Sequence, residues 1–234
     1  KGLKMAIDIW FPLAIYYEDV KDAQKHKNKM LDKIHTLRDK AVIKRTNDES
    51  SWTGDIHDID QLHNDSDFSW LTLEVRKHTL EYLKTLGLNI SKIDVYAQRS
   101  WPIIAEKGQS VSRHTHPNAN LSVVYYISVG TDANPGSTRF FNVSKYNELS
   151  GSLSSSMTEA YSEFNTLNFE QADYAPKEGR IVIFPSKQPH DVTANECDAP
   201  RISISYDLVI TAQKEADNST PEFLMPSPSS WVKL

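Results

Sequence analysis

Five runs in the second half of the chain, KIDVYAQRSW, NLSVVYYISV, STRFFNV, GRIVIF and RISISYDLVI, are rich in β-branched and aromatic residues and separated by clusters of Gly, Pro, Asn and Asp. A succession of such runs with no helical stripe between them describes a sandwich or a barrel. The first half reads differently. Residues 19–41 place Val20, Ala23, Met30, Leu31, Ile34, Leu37 and Ala41 on one helical stripe, with the basic cluster Lys25 to Lys29 on the wet face. A second helix is expected from Asp67 as N-cap through Leu71, Val75, His78, Tyr82 and Leu86 to Gly87. Ahead of both, Ile9, Phe11, Leu13 and Ile15 alternate before Tyr16 and Tyr17, which predicts an edge strand bounded by Pro12. The fold class is therefore α+β, mainly β.

A length of 234 residues with 39% hydrophobic and 10% aromatic content suffices for one large core. We expect a single domain over 1–213, with the strand and helices in 1–89, the β core in 90–210 and an insertion at about 145–176. That insertion is Ser-rich around 150–156 and is expected to be a mobile excursion or lid. The tail, 214–234, carries Pro221, Pro226 and Pro228, and Trp231 is expected to dock its end. The polar stretch 45–66 is long for a plain connection and is expected to border a site. A net charge of −5 and a pI near 5.9 argue against nucleic-acid binding. No apolar run reaches membrane-spanning length, and the opening segment, broken by Asp8 and Pro12, lacks a signal-peptide cleavage pattern. With Cys197 as its one cysteine, the chain is expected in the reducing cytoplasm of a bacterial or phage-infected host cell.

Three of the eight histidines carry a chemical signal. His114 and His116 form R-H-T-H-P before a strong strand, and residues i and i+2 of an extended chain share a face, so two imidazoles stand side by side. His190, after GRIVIFPSKQP, can complete a facial triad that leaves coordination positions open on a non-haem iron. His26, His35, His57, His63 and His78 show no such spacing and are taken as surface or core residues. Eleven residues after His190 comes Arg201, and the turn-rich VTANECDAP between them predicts a hairpin with the two roughly opposite on adjacent strands. Arg201 and Ser203 then offer a guanidinium fork and a hydroxyl to a carboxylate. Of Tyr125 and Tyr126 one must face the interior, and Tyr125 is expected to contact the co-substrate.

SRHTHPNANLSVVYYISVG, PGSTRFFNV and EGRIVIFPSKQPHDV…PRISISYDL together resemble the 2-oxoglutarate/Fe(II) oxygenase family found widely in bacteria and marine phages, over residues 90–210. IWFPLAIYYEDV resembles the family's opening strand, and Trp52 with Gly54 a degenerate form of its Gly-Trp loop. The resemblance implies a double-stranded β-helix (jelly roll) with helices packed on one side. It places His114, His116 and His190 at the metal-ligand positions and Arg201 with Ser203 at the clamp for the distal carboxylate of 2-oxoglutarate. Fe(II), 2-oxoglutarate and O2 follow as cofactors, with succinate, CO2 and a hydroxylated C–H bond as products. The substrate is a small molecule or a peptide.

One position departs from the common pattern: most 2-oxoglutarate oxygenases have His-x-Asp/Glu before the distal His, and His116 occupies the carboxylate position. Asn118 paired with His116 is an alternative, whereas Asp191 neighbours His190 and faces away. Three neutral imidazoles predict that iron binds more tightly once the dianionic co-substrate is present. A cupin is the nearest rival, through Gly108, His114-x-His116, Gly179, Pro185 and His190, although Asn120 stands where its first motif has Glu. A metal-free jelly-roll binding module is the rival of a different class.

Overall fold

A computed structural model describes residues 7–42, 48–153, 160–213 and 224–234. Strand β1 (Tyr16–Asp19) and helix α1 (Ala23–Lys40) come first, then β2 (Trp52–Thr53) and α2 (Ser69–Thr85). The β-rich half follows as β3 (Ile93–Ala105), β4 (Val111–His114), β5 (Leu121–Ser128), β6 (Thr138–Phe141), β7 (Gln171–Tyr174), β8 (Arg180–Pro185), β9 (His190–Val192) and β10 (Arg201–Ala212). All pair antiparallel, in one sheet ordered β1-β8-β5-β10-β3-β2 and another ordered β4-β9-β6-β7.

The period of two sorts the residues of the larger sheet between two cores. Leu121, Val123, Tyr125 and Ile127 of β5, with Ile202, Ile204, Tyr206 and Leu208 of β10, pack against Met30 and Ile34 of α1 and Leu71, Val75 and Leu83 of α2. The alternate residues Val124, Tyr126, Val182 and Phe184 meet Phe140 of β6 in the space between the sheets. Helices, large sheet and small sheet thus form successive layers. The architecture is a jelly roll, the double-stranded β-helix, with its helices on one side.

Several local expectations shift. The edge strand begins at Tyr16, because β8 supplies partners from Ile183 back to Arg180. Ile9, Trp10 and Phe11 stay exposed. Asp67 lies in a short 3-10 turn, and Asp65 is the capping residue, its side chain accepting from the Asp67 N–H at 2.9 Å. Gly87 ends α2 as expected, in the left-handed region at φ 84°, with the Leu88 N–H reaching back to the Leu83 carbonyl at 3.0 Å. The insertion contains the regular strand β7, paired with β6, while its Ser-rich centre at 154–159 lies outside the described residues. The tail docks through the Ala212 N–H to Met225 carbonyl bond (2.8 Å) and buried Ser227, whereas Trp231 remains exposed. Pro221 lies outside the described residues.

The predicted hairpin between His190 and Arg201 does not form. β9 pairs within the small sheet and β10 within the large one, so the intervening loop crosses between sheets. Asn195 explains the crossing. Its side-chain amide donates to the carbonyls of Ala105 and Ala199, both at 3.0 Å, tying the loop to the end of β3 instead of closing a two-strand turn.

Candidate active site

Between the sheets opens a cavity of about 1230 Å³. His114, the last residue of β4, is the Cα partner of His190, the first of β9, and their ring centroids lie 4.3 Å apart. His116 follows two residues after His114, with its backbone N–H fixed to the Ser186 carbonyl at 3.0 Å. Ligand-capable nitrogens of all three histidines lie within 4.8 Å of one another. Asp191 is not part of this cluster, and Asn118 lines the same cavity.

The partners of the three rings settle their tautomers. His114 Nδ1 lies 2.7 Å from the Ser112 carbonyl, His190 Nδ1 3.0 Å from the Gln188 carbonyl and His116 Nδ1 2.7 Å from Asp207 Oδ1. A carbonyl or carboxylate oxygen accepts, so each Nδ1 carries a proton and Nε2 is the nitrogen left to face a metal. Two of these nitrogens, on His114 and His116, are 3.1 Å apart, a separation that a shared proton or a metal ion makes favourable. With metal–nitrogen bonds of roughly 2.1 Å, two donors at a right angle stand about 3.0 Å apart, so this spacing suits neighbouring positions of an octahedral ion. Burial drives the His190 pKa down to about 3, with His114 adding to the effect, and burial also lowers that of His114. Neutral imidazoles are the form a metal needs. The donor set therefore fits a divalent metal, iron included.

Across the cavity, β10 points Arg201, Ser203, Ser205 and Asp207 inward in alternation. Arg201 is 2% exposed. Its Nη1 donates to the Pro135 carbonyl at 2.5 Å and the Thr193 carbonyl at 3.1 Å, and no carboxylate among the described residues pairs with it. Burial without a counter-ion pulls its pKa below the usual arginine value. A buried guanidinium so placed is a receptor for an anion.

Tyr125 is not at this site: it faces the helices, its ring edge-on to Trp70, and the interior side chain is Tyr126. Alternation from Ser203 gives the reason, since Ser203 is the Cα partner of Tyr126 on β5 and both face the cavity. The Tyr126 hydroxyl is 2.6 Å from Thr138 Oγ1.

Gly136, at φ 76°, lets the 134–136 turn approach Arg201, and a Cβ there would collide with Arg201 Nη1 and the Thr193 carbonyl. Gly136→Ala is therefore expected to push the guanidinium aside and weaken binding of a dicarboxylate by about tenfold or more, read by calorimetry. The stretch before α2 does border the cavity, through Trp52, Thr53, Asp55 and His57, and Gly54 allows it to lie against Pro102. His57 therefore lines the wall without joining the cluster. Arg113 also lines the cavity, and its guanidinium lies 3.2 Å from the Phe141 ring centroid.

Sequence reasoning missed Asp207, which holds His116. Its signal was present: R-I-S-I-S-Y-D continues the alternation from Arg201 and Ser203 for two more steps.

A jelly roll with three converging imidazoles and a buried arginine defines a class of metal-dependent enzymes. Residues 99–207 match the model of the family described as "Putative 2OG-Fe(II) oxygenase". The β-helix core of this chain thus resembles that of the 2OG-Fe(II) oxygenases, a family whose cofactors are Fe(II), 2-oxoglutarate and O2, and its three-histidine cluster can hold such a metal. No curated protein matches in sequence. Among solved structures, similarity extends to a prolyl-4-hydroxylase of Pseudomonas putida, with 14% identity, 84% of this chain and 93% of that chain covered and a TM-score of 0.52. It also extends to two α-ketoglutarate-dependent proteins of nogalamycin biosynthesis. For the epimerase SnoN identity is 12%, coverage 86% and 81%, and TM-score 0.57. For the carbocyclase SnoK the values are 12%, 92% and 88%, and 0.57. These likenesses carry the fold, which hosts more than one reaction.

Proposed function

We propose that the chain hydroxylates a C–H bond of a small-molecule or peptide substrate, using His114, His116 and His190 to hold Fe(II). The observation that carries this reading is the convergence of three histidines whose ligand-capable nitrogens lie within 4.8 Å of one another, each with its Nδ1 bonded to an oxygen of the protein. Iron with 2-oxoglutarate and O2 supplies oxidative decarboxylation to succinate and CO2 and transfer of an oxygen atom to carbon. The chain's own residues do the rest. Arg201 and Ser203 hold the distal carboxylate, and the Tyr126–Thr138 pair lines the slot beside them. Trp101, stacked on His116 at 5.7 Å, and Phe184, edge-on to His190 at 4.7 Å, keep bulk water from the ligands. Arg113, which lines the cavity and is held over the Phe141 ring, is the cationic side chain offered to the substrate.

Cytoplasmic placement is part of the proposal, supported by the buried, unpaired Cys197. No helix among the described residues is long and apolar enough to cross a membrane.

Purified protein given Fe(II), ascorbate and 2-oxoglutarate is expected to release succinate, with a severalfold rise when the correct substrate is present. Succinate formation that is absent across a broad substrate pool, in protein shown to bind both iron and 2-oxoglutarate, would count against the hydroxylase reading.

A further inference from the structure

His116 differs from its two partners in what holds it. The Nδ1 protons of His114 and His190 go to neutral backbone carbonyls, whereas that of His116 goes to a carboxylate, Asp207 Oδ1, at 2.7 Å. We propose that Asp207 supplies the carboxylate of this metal centre. It acts one bond further out, as a positioning residue that orients His116 and delivers negative charge to the metal through the imidazole. The inference rests on the reading of the three histidines as iron ligands.

The surroundings of Asp207 support this assignment. Its residue is 6% exposed, and among the described residues it forms no ion pair with Lys or Arg; its salt-bridge partner is His116. The other hydrogen bond it accepts, from Ser122 Oγ, is long at 3.4 Å. A buried carboxylate with so little compensation needs a positive charge nearby. Arg201 cannot supply it, because it lies six residues away along the same strand, about 20 Å at the rise of a β-strand, and Arg99, the Cα partner of Asp207 on β3, gives its guanidinium to Asp55 and Asp60. The metal, one imidazole away, can.

Formal charge leads to the same conclusion. Asp207, Fe(II), the 2-oxoglutarate dianion and Arg201 cancel, as they would if the carboxylate touched the metal. Without Asp207 the other three groups would sum to one positive charge. Imidazole ligands are commonly held this way by carboxylates, which fix the ring and raise its basicity. Asp207 further shares its Ser122 partner with Ser186, whose carbonyl holds the His116 backbone N–H, so ring and backbone of His116 are fixed by one connected set.

The deciding experiment measures metal affinity, with anaerobic Fe(II) and with Co(II), in purified full-length variants. Asp207→Asn is expected to lose about tenfold to a hundredfold in affinity for both ions without change in the circular dichroism of the metal-free protein. Placing the carboxylate back at the metal should remove the dependence, so His116→Asp combined with Asp207→Asn is expected to bind more tightly than Asp207→Asn alone. Wild-type affinity in Asp207→Asn, or no gain in the double variant, overturns the proposal.

Should Asp207→Asn fail to fold, the paramagnetically shifted proton spectrum of the Co(II)-loaded wild type decides. A His116 Nδ1 proton held by a carboxylate is expected to exchange slowly with solvent, and rapid exchange overturns the proposal. His116→Ala and His190→Ala separate the two levels of the argument. If both bind metal like wild type the ligand reading itself fails, whereas if both lose metal while Asp207→Asn does not, only the role of Asp207 fails.

Discussion

Arg201→Ala is expected to lower 2-oxoglutarate affinity by a factor on the order of 30 to several thousand while leaving metal uptake intact, because truncating one side of a buried charge pair costs about 2–5 kcal/mol. The side chain is buried, two carbonyls occupy only its Nη1, and no described carboxylate neutralises it. A guanidinium in that setting destabilises the protein unless an anion binds beside it. The same variant is therefore expected to leave the metal-free protein no less stable than wild type, since it relieves a desolvated charge while giving up two carbonyl bonds. Arg201→Lys should fall between, keeping the charge but not the planar fork. Calorimetric titration of 2-oxoglutarate into Mn(II)-loaded protein reads the affinity. Wild-type affinity in Arg201→Ala would mean that the dicarboxylate is held elsewhere.

His190→Ala is expected to abolish metal uptake. His190 is 3% exposed, neutral through burial, fixed by its Nδ1–H to the Gln188 carbonyl and wedged against Phe184. Removing it leaves two nitrogen donors on one side of the site, and no described carboxylate belongs to the cluster to replace it. His57→Ala serves as the control. That ring also lines the cavity, but its Nδ1 is bound to the Thr53 carbonyl and it stacks on Trp52, so metal uptake should persist.

How far the sequence speaks for itself depends on how long each pattern runs. β5 and β10, with 8 and 12 residues, display their alternation openly, and the inward-facing set that begins at Arg201 and Ser203 is legible from it. β4 and β9 have only 4 and 3 residues, too few for a period to show, and their histidines stood out by type and spacing alone. Which of Tyr125 and Tyr126 faces the cavity depends on strand register, and two adjacent tyrosines carry no signal for it. The stretch after His190 has the composition of a hairpin turn, yet Asn195 ties it to β3 and sends the chain across to the other sheet. Asp207 was hidden for a different reason. A residue that acts through a ligand stands far from it in the chain, 91 positions in this case, and only folding brings the two together.

The account stands or falls on the three-histidine centre and its co-substrate, and one anaerobic titration examines both. Fe(II) is added to wild type and to His190→Ala, with and without 2-oxoglutarate, while metal bound and the visible spectrum are followed. The account predicts one Fe(II) per wild-type chain and a metal-to-ligand charge-transfer band that requires both components. His190→Ala should show neither. Wild-type protein that takes up no iron under either condition, or His190→Ala that develops the same band, would contradict it.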